Sequence, residues 1–489
     1  MGKAPAEKII KKFCKIKHMP KIDYQKLEKK LKYERKNAWE EMGDKGKKNA
    51  MQFSEGYKNF LNSAKVERET VKQGIEIARK AGFKNITEVK VLKAGDKIYA
   101  LNRDQNILFG VIGKDLTRDG FSLLMSHIDN PRLDLKVNPL YEDSGLAYFK
   151  THYYGGIKKY QWPTIPLSLH GVVMLHSGKK IEITIGEKDD DPIFMITDLL
   201  PHLGKDQLKK TLEEGVTAEE LNIVIGSIPV ADKKIKEKIK LAILEILNKE
   251  YGLTEGDFVS SELHAVTASK ARDLGFDRSL IAAFGHDDRV CAYSSLLALL
   301  DSQNKARVQL CFWVDREEIG SEGNTSAQSV WIESIIAEIL EKTGQPADLK
   351  NIYQVMEKSQ AISADVTAGF DSDYKEVHDA RNAAYIGCGV ALEKHTGYRG
   401  KYSTSEASPE YMQKLRGIFD AQKIIWQTGG LGKVDQGGGG TIAMYLAKRN
   451  LDVVDMGVGV LNMHAPMEIV SKADVYQSYR AYRAFFEQI

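Results

Sequence analysis

VQLCFWVDREEIG, residues Val308–Gly320, is the stretch that decides the fold. Its first part, residues 308–314, is apolar apart from Gln309. A short apolar run ended by charged residues is typical of a strand that is buried on both faces of an α/β sheet. The run leads directly into the acidic turn Asp315–Glu318, and open α/β sheets bind ligands beyond the carboxyl ends of their strands. This turn is therefore a candidate functional site.

The same arrangement, an apolar run followed by polar residues, occurs at three further places. They are Phe121–Ser126 before His127 and Asp129, the mixed segment before Asp365, and Leu451–Leu461 before His464. Since parallel strands end at one edge of a sheet, we expect these polar side chains to lie near one another.

The surrounding sequence predicts two kinds of structure. Residues 1–80 read as helical, with Ile9, Ile10, Phe13 and Ile16 on one helix face, and another amphipathic helix is predicted over Lys234–Leu247. Short strand-like runs separated by Gly and Pro begin after Gly82, the first at Glu88–Val91. We predict an α/β domain of residues 1–136 and 258–489, with a mixed sheet flanked by helices, interrupted by a β-rich insert at 137–257.

Composition excludes several classes of protein. The chain has 489 residues, 43% hydrophobic and 28% charged, with a net charge of +3, which is the balance of a globular protein without a nucleic-acid-binding field. The basic excess is confined to residues 1–50, where acids are interleaved and a solvated helix face is the plain interpretation. No apolar run is long enough for a membrane span, and no secretory signal is read. Four cysteines without CxxC spacing favour reduced thiols in a cytoplasm.

Taken singly, each polar cluster has an ordinary structural explanation. His127 could be a hydrogen-bonded buried residue, Glu317-Glu318 a solvated charge pair, and Asp287-Asp288 a helix N-cap. Adjacent acids are costly to bury without a cation, however, and a mixed His, Asp and Glu set suits divalent transition metals. In a two-metal hydrolase one of two consecutive glutamates could be a ligand and the other the base that takes a proton from water.

Five strings then give a specific resemblance. They are Ser126–Pro131 (SHIDNP), His286–Val290 (HDDRV), Asp315–Ser321 (DREEIGS), Ser363–Asp365 (SAD) and Met463–Pro466 (MHAP). In this order they resemble the aspartyl aminopeptidase family of two-metal exopeptidases, from about residue 90 to the end. The resemblance implies a metal-dependent aminopeptidase that removes the N-terminal residue of peptides, on an α/β domain with an inserted β-rich dimerisation domain.

The resemblance also implies a role for each matched residue. One metal would be held by His127 and Asp365, the second by His464 and Glu318, and both by Asp287, with Glu317 as general base and Asp129 orienting His127. The bond between Asp287 and Asp288 is expected to be cis. The two ions would be zinc, with cobalt and manganese as alternatives.

The resemblance further implies homodimers, often assembled into dodecamers, in which a histidine of the neighbouring subunit completes the site. The insert offers His152, His170, His176 and His202, of which we select His202 in the string LLPHL. The glycine run 437–440 has two readings, a flexible turn or, at Gly438 and Gly439, close backbone approach to substrate.

The preferred first residue of the substrate stays open at this point. Eukaryotic members of the family carry Met-Ala-His-Ala after Ser-Ala-Asp, whereas this chain continues Val366-Thr-Ala-Gly-Phe-Asp371. An acidic preference needs a basic side chain, for which Lys394 is the candidate, while Asp371 and Asp373 could favour a basic or neutral residue.

Two other classes of function remain as alternatives. A two-metal phosphoesterase or deacylase would use the same ions on another substrate. A non-catalytic assembly protein could retain the fold, but the complete set of matched ligands with Glu317 argues against it.

Overall fold

A computed structural model describes residues 23–489. The described residues 23–36 belong to one unit and residues 37–489 to a second. The described part of the first unit contains helix α1 (Tyr24–Leu31), which begins after Asp23, whose side chain accepts a hydrogen bond from the Lys26 N–H. The helical face predicted at Ile9–Ile16 lies outside the described residues.

The second unit alternates helices and strands along most of its length. Its helices are α2 (Ala38–Glu41), α3 (Gly43–Ser63), α4 (Glu67–Lys80), α5 (Leu116–Asp119), α6 (Lys238–Tyr251), α7 (His286–Asp301), α8 (Trp331–Lys342), α9 (Leu349–Glu357), α10 (Pro409–Ala421), α11 (Ala443–Ala447) and α12 (Lys472–Gln488). Its strands are β1 (Lys84–Asn85), β2 (Lys97–Asn102), β3 (Asn106–Val111), β4 (Phe121–His127), β5 (Arg132–Asp143), β6 (Leu146–Tyr154), β7 (Leu167–Met174), β8 (Lys180–Ile185), β9 (Met195–Ile196), β10 (Ile223–Gly226), β11 (Ser261–Thr267), β12 (Arg272–Leu274), β13 (Leu280–Ala283), β14 (Val308–Val314), β15 (Gln360–Ser363), β16 (Thr367–Ala368), β17 (Val390–Glu393), β18 (Gly397–Tyr398), β19 (Trp426–Thr428), β20 (Gly438–Gly439), β21 (Asp452–Gly457), β22 (Gly459–Val460) and β23 (Glu468–Ser471).

The main sheet has nine strands in the order β1-β2-β3-β14-β4-β15-β21-β17-β19. Its centre is parallel, because β14 pairs with β4, β4 with β15, and β15 with β21 in the same direction. Strand β3 runs antiparallel to β14, and β17 antiparallel to β21. The predicted mixed α/β sheet is confirmed, and its four central strands end at one edge.

Helices cover both faces of the main sheet. One face packs against an apolar cluster that includes Tyr57 of α3, Leu296 of α7 and Phe485 of α12. The other face packs against a second cluster that includes Ile336 of α8 and Leu446 of α11. The central strands β4 and β14 are buried over their whole length, which explains why they read as continuous apolar runs.

A second sheet of seven antiparallel strands has the order β8-β7-β11-β5-β6-β10-β9. Its own apolar core includes Phe149, Trp162 and Leu263. The sheet takes strands from residues 132–267, so it extends past the expected limits of 137 and 257 at both ends, because β5 begins at Arg132 and β11 pairs with both β5 and β7. The division into domains itself stays a prediction.

Two local predictions were wrong because a side chain caps the backbone and sets where the element begins. Residues 88–91 form no strand, because Asn85 accepts a hydrogen bond from the Thr87 N–H and starts the 3-10 turn Ile86–Glu88. Helix α6 begins at Lys238 rather than Lys234. The carboxylate of Glu142 on β5 accepts hydrogen bonds from the N–H groups of Ile239 and Lys240, so a contact distant in sequence caps the helix start.

Gly74 lets helix α4 lie against the main sheet, and this yields a stability prediction. A Cβ at Gly74 would lie 2.4 Å from the Trp313 ring, whereas a Cβ at the exposed Gly417 of α10 meets only the end of Gln413 at 4.0 Å. We expect Gly74→Ala to lower the free energy of unfolding by about 1–3 kcal/mol through overpacking. Gly417→Ala should raise it by roughly 0.5–1 kcal/mol, as for an ordinary helix position. Urea unfolding of both variants measures the difference, and two changes of the same sign would contradict it.

Candidate active site

The ends of the central strands carry the candidate side chains. His127 is the last residue of β4, Glu317 and Glu318 lie in the 3-10 turn after β14, and Asp365 follows β15. Helix α7 and the β22–β23 connection approach the same edge. Helix α7 contributes Asp287, whose peptide bond to Asp288 is cis, and the connection contributes His464. The structure thus brings together residues that are more than 300 positions apart in sequence.

Asp287 lies between the two histidines. His127 Nε2 is 3.0 Å from Asp287 Oδ1 and 3.7 Å from Asp365 Oδ1. His464 Nε2 is 3.2 Å from Asp287 Oδ2 and 3.4 Å from Glu318 Oε2. Asp287 therefore presents one oxygen to each histidine and belongs to two groups of three possible ligands. Glu317 joins a third group with His127 and Glu318.

These distances fit divalent zinc. Two ligand atoms at about 2.0 Å from one tetrahedral zinc ion lie ~3.3 Å apart, which is close to the separations found here. Glu318 Oε1 is buried and has no hydrogen-bond partner within the described chain, as expected of an oxygen available to a cation. Nitrogen and carboxylate donors are also the types that zinc accepts.

The site concentrates negative charge away from water. Burial raises the pKa of Glu317 to about 8 and raises the pKa values of Glu318 and Asp365 above their ordinary ranges. Burial lowers the pKa of His127, but hydrogen bonds to Asp129, Asp287 and Asp365 outweigh it and raise the pKa well above the usual value. Divalent cations would relieve this repulsion among the carboxylates.

Asp129 holds the turn that carries both glutamates. Its carboxylate accepts hydrogen bonds from the N–H groups of Glu317 (3.0 Å) and Glu318 (3.1 Å). His127 Nδ1 lies 3.0 Å from the backbone oxygen of Asp129 and 3.4 Å from its Oδ1. In the neutral imidazole, which is the form that binds a metal ion, a proton on Nδ1 leaves Nε2 unprotonated and facing Asp287.

Sequence reasoning missed Glu468, the first residue of β23. One oxygen of this buried carboxylate accepts from the Asp287 N–H at 3.1 Å, and the other accepts from the His464 N–H at 2.7 Å. It therefore holds the backbone of a residue on each side of the site. The available signal was an acid four positions after His464, beyond the matched MHAP string.

The remaining predicted residues lie in other surroundings. The ammonium group of Lys394 pairs with Glu406 at 3.0 Å, and Lys401 pairs with the same carboxylate at 2.8 Å. Gly438 has φ +123 and lies so close to Gly397 and Tyr398 of β18 that any Cβ would collide, so packing alone explains a glycine there. A Cβ at Gly439 would meet open space. Their roles in substrate binding stay predictions.

His202 lies on an exposed turn of the second-sheet region. None of the hydrogen bonds or ion pairs found in residues 23–489 joins it to the candidate metal ligands of its own chain. Its predicted role in a neighbouring subunit is left untested by this arrangement.

Comparison with known proteins identifies the family. Residues 60–486 match the family described as aminopeptidase I zinc metalloprotease (M18). A probable M18 family aminopeptidase 1 from Clostridium acetobutylicum is 47% identical over 92% of this chain and 98% of its own length. The crystal structure of an M18 aminopeptidase from Thermotoga maritima superposes with a TM-score of 0.91 at 45% identity, over 94% of this chain and 100% of that one. A solved yeast dodecamer, mApe1, shares the fold at 19% identity and a TM-score of 0.72, over 90% of this chain and 97% of that one.

The chain belongs to the M18 aminopeptidase family. It is a metallo-aminopeptidase of a zinc-dependent family, and the resemblance seen in the five strings is confirmed. Within the described residues, no helix combines the length and the hydropathy that a membrane span requires.

Proposed function

We propose that this M18 enzyme is a two-zinc aminopeptidase. The observation that carries the proposal is the position of Asp287, with one carboxylate oxygen 3.0 Å from His127 Nε2 and the other 3.2 Å from His464 Nε2. A carboxylate shared in this way suits two neighbouring cations. His127, Asp287 and Asp365 would hold one zinc, and His464, Asp287 and Glu318 the second.

Bound zinc ions would supply Lewis-acid chemistry, polarising the scissile carbonyl and lowering the pKa of water. The chain would supply the proton transfers. We assign Glu317 as general base, because it lies beside His127 and Glu318 and takes part in none of the interactions with Asp287 described above. Its carboxylate would take a proton from the attacking water and return it to the nitrogen of the leaving peptide.

Glu317→Gln tests this assignment. The amide keeps the size of the side chain but cannot accept the proton, so we expect kcat to fall by roughly 10²–10⁴-fold. Zinc content should remain at two ions per chain, measured by elemental analysis. Glu322→Gln is the matched control. Glu322 is exposed in the loop that follows the Glu317–Ile319 turn, and its variant should keep normal turnover. Near-normal turnover of the Glu317 variant would remove Glu317 as base, and one zinc ion per wild-type chain would refute the two-zinc site.

We also propose that Lys394 recognises an acidic first residue. Two lysines, Lys394 and Lys401, share the single carboxylate of Glu406, and together they lower its pKa to about 2. The three groups carry one positive charge in excess. A substrate carboxylate could bind that charge through a charge-assisted hydrogen bond.

Substitution of the two lysines separates their contributions. We expect Lys394→Gln to lower kcat/KM for dipeptides that begin with Asp or Glu by about tenfold relative to those that begin with Leu, since the acid loses a charged partner. Lys401→Gln also removes one charge from the group around Glu406 but leaves the Lys394 ammonium as hydrogen-bond donor to the substrate, so it should leave this ratio within twofold. A profile of first residues measures both. Equal ratios in wild type and the Lys394 variant would exclude Lys394 from the substrate pocket.

We propose that copies of the chain associate through the second-sheet region and that His202 serves the neighbouring site. The turn that carries His202 exposes Leu199, Leu200 and Leu203, an apolar surface that association would cover. The assembly of the yeast relative as a dodecamer supports such a contact. A donated histidine hydrogen bond would stabilise the tetrahedral intermediate.

Complementation between variants tests the shared site. His202→Ala and Glu317→Gln homodimers should each lose activity by at least about 100-fold. After dissociation and mixed reassembly in equal amounts, half of the dimers are mixed and each contains one intact site, so activity should return to about one quarter of wild type. His176→Ala, also exposed on the second sheet, is the control and should stay active. Failure of the mixture to recover activity would contradict the role of His202.

We further propose a cytoplasmic location. Cys291 and Cys311 are buried thiols outside any disulfide, and such thiols persist in reducing compartments.

A further inference from the structure

Strand β6 of the second sheet ends against the candidate metal cluster. Its last residue, Tyr154, is followed by two glycines, and we refer to Tyr154–Gly156 as the YGG segment. The segment contacts Asp129, which lies against His127, and it contacts His464 of the other ligand group directly. None of the five strings includes it, so sequence reasoning gave it no role.

Tyr154 contacts the group that orients His127. Its hydroxyl donates a hydrogen bond to Asp129 Oδ2 at 2.9 Å. Burial and the nearby Asp129 carboxylate raise the pKa of Tyr154 well above its ordinary value, so the hydroxyl keeps its proton and acts as donor. Asp129 is fully buried, so its hydrogen-bond partners determine where its carboxylate lies. The same carboxylate holds the backbone of Glu317 and Glu318.

The other end of the segment contacts the second histidine. His464 Nδ1 lies 2.9 Å from the backbone oxygen of Gly156, and a hydrogen bond there leaves Nε2 facing Asp287 and Glu318. Between the two ends, Gly155 has φ +71. A Cβ there would lie 3.3 Å from the Cβ of Glu318 and from the Cγ of Pro131, which is closer than ordinary contact, so the position favours glycine.

The ring of Tyr154 is itself held from behind. The guanidinium carbon of Arg132 lies 4.1 Å from the ring centroid. Arg132 is buried and pairs with Glu67 of α4 at 2.5 Å and with Asp134 at 2.9 Å. Arg132 fixes the ring of Tyr154, and the hydroxyl donates to one buried acceptor. Tyr154 is therefore suited to hold the Asp129 carboxylate in position.

We propose that Tyr154 is a positioning residue for the metal site, acting through Asp129, and that the YGG segment orients both ligand histidines. The proposal rests on the two-zinc site of the proposed function. It assigns to the second sheet a part in zinc binding within each chain, separate from its part in association. Residues that orient metal ligands from behind commonly contribute 10–100-fold to metal affinity.

Tyr154→Phe removes the hydroxyl and leaves the ring against Arg132. We expect the apparent zinc affinity of metal-free protein, measured by competition with a chelating dye, to fall by about tenfold. The absorption spectrum of the cobalt-loaded variant should differ from that of wild type, because the orientation of His127 changes. Tyr153→Phe is the matched control: this neighbour is 41% exposed, and its affinity should stay within twofold of wild type.

A double-mutant cycle with Asp129→Asn tests the route. If Tyr154 acts through Asp129, the hydroxyl has little left to contribute once that carboxylate is gone, so the two losses of affinity should not multiply. Losses that multiply fully would overturn the route through Asp129. A zinc affinity of Tyr154→Phe within twofold of wild type, or a loss confined to the melting temperature of metal-free protein, would overturn the positioning role.

Gly155→Ala tests the second half of the segment. The methyl group presses on Glu318, so we expect weaker zinc binding together with a changed cobalt spectrum. Gly145→Ala, at φ +82 in open space, is the control for backbone strain alone and should leave both unchanged. Equal zinc affinities of the two variants would overturn the contribution of the segment. The zinc count of wild type tests the proposed function, whereas the ratios between variants test this inference.

Discussion

The carboxylates around Asp287 repel one another and cannot be buried together unless positive charge lies between them. Much of the structure around the site depends on this electrostatic constraint. The side chains of Asp287, Asp365 and Glu318 are almost entirely excluded from water, and within the described residues His127 and His464 are the only basic groups within 4 Å of their carboxylates. Charges of one sign at such separations are strongly unfavourable in a medium of low dielectric constant. In the proposed site zinc would supply the opposite charge, so residues that destabilise a metal-free interior would be stabilised by the bound ions.

The fold brings the candidate ligands together by ending parallel strands at one edge. Strands β4, β14 and β15 lead into His127, the Glu317–Glu318 turn and Asp365. Strand ends alone would leave these side chains on short, mobile connections. Rigidity comes from buried acceptors that hold backbone N–H groups: Asp129 holds the turn, and Glu468 holds both Asp287 and His464. Each such carboxylate restricts several ligand-bearing segments at once.

Sequence reasoning reached the parts of this arrangement that leave a local pattern. Buried strands such as Val308–Val314 show as apolar runs, and the polar residues that follow them predict an edge site. Glu468 and Tyr154 follow no such apolar run, and the partners that link them to the site, the Asp287 N–H and the Asp129 carboxylate, lie far from them along the chain. The start of helix α6 escaped prediction for the same reason, since Glu142 on another strand caps it. Local sequence propensity predicts which helices and strands form, whereas contacts between residues distant in sequence decide at which residue each one begins or ends.

The contacts of β6 with the site give the second sheet a proposed role besides the association of copies. If that sheet served only association, its strands could end anywhere near the main sheet without effect on the chemistry. Instead, Arg132 at the start of β5 and Tyr154 at the end of β6 form a pair directly behind Asp129. Glu67 of α4 ties this pair to a helix that packs on the main sheet. A shift of the second sheet would move Tyr154 and the Gly156 carbonyl together, and with them the partners of both histidines. The geometry of the proposed metal site would therefore depend on how the two sheets are packed, and a contact between copies made through the second sheet would act on the same residues.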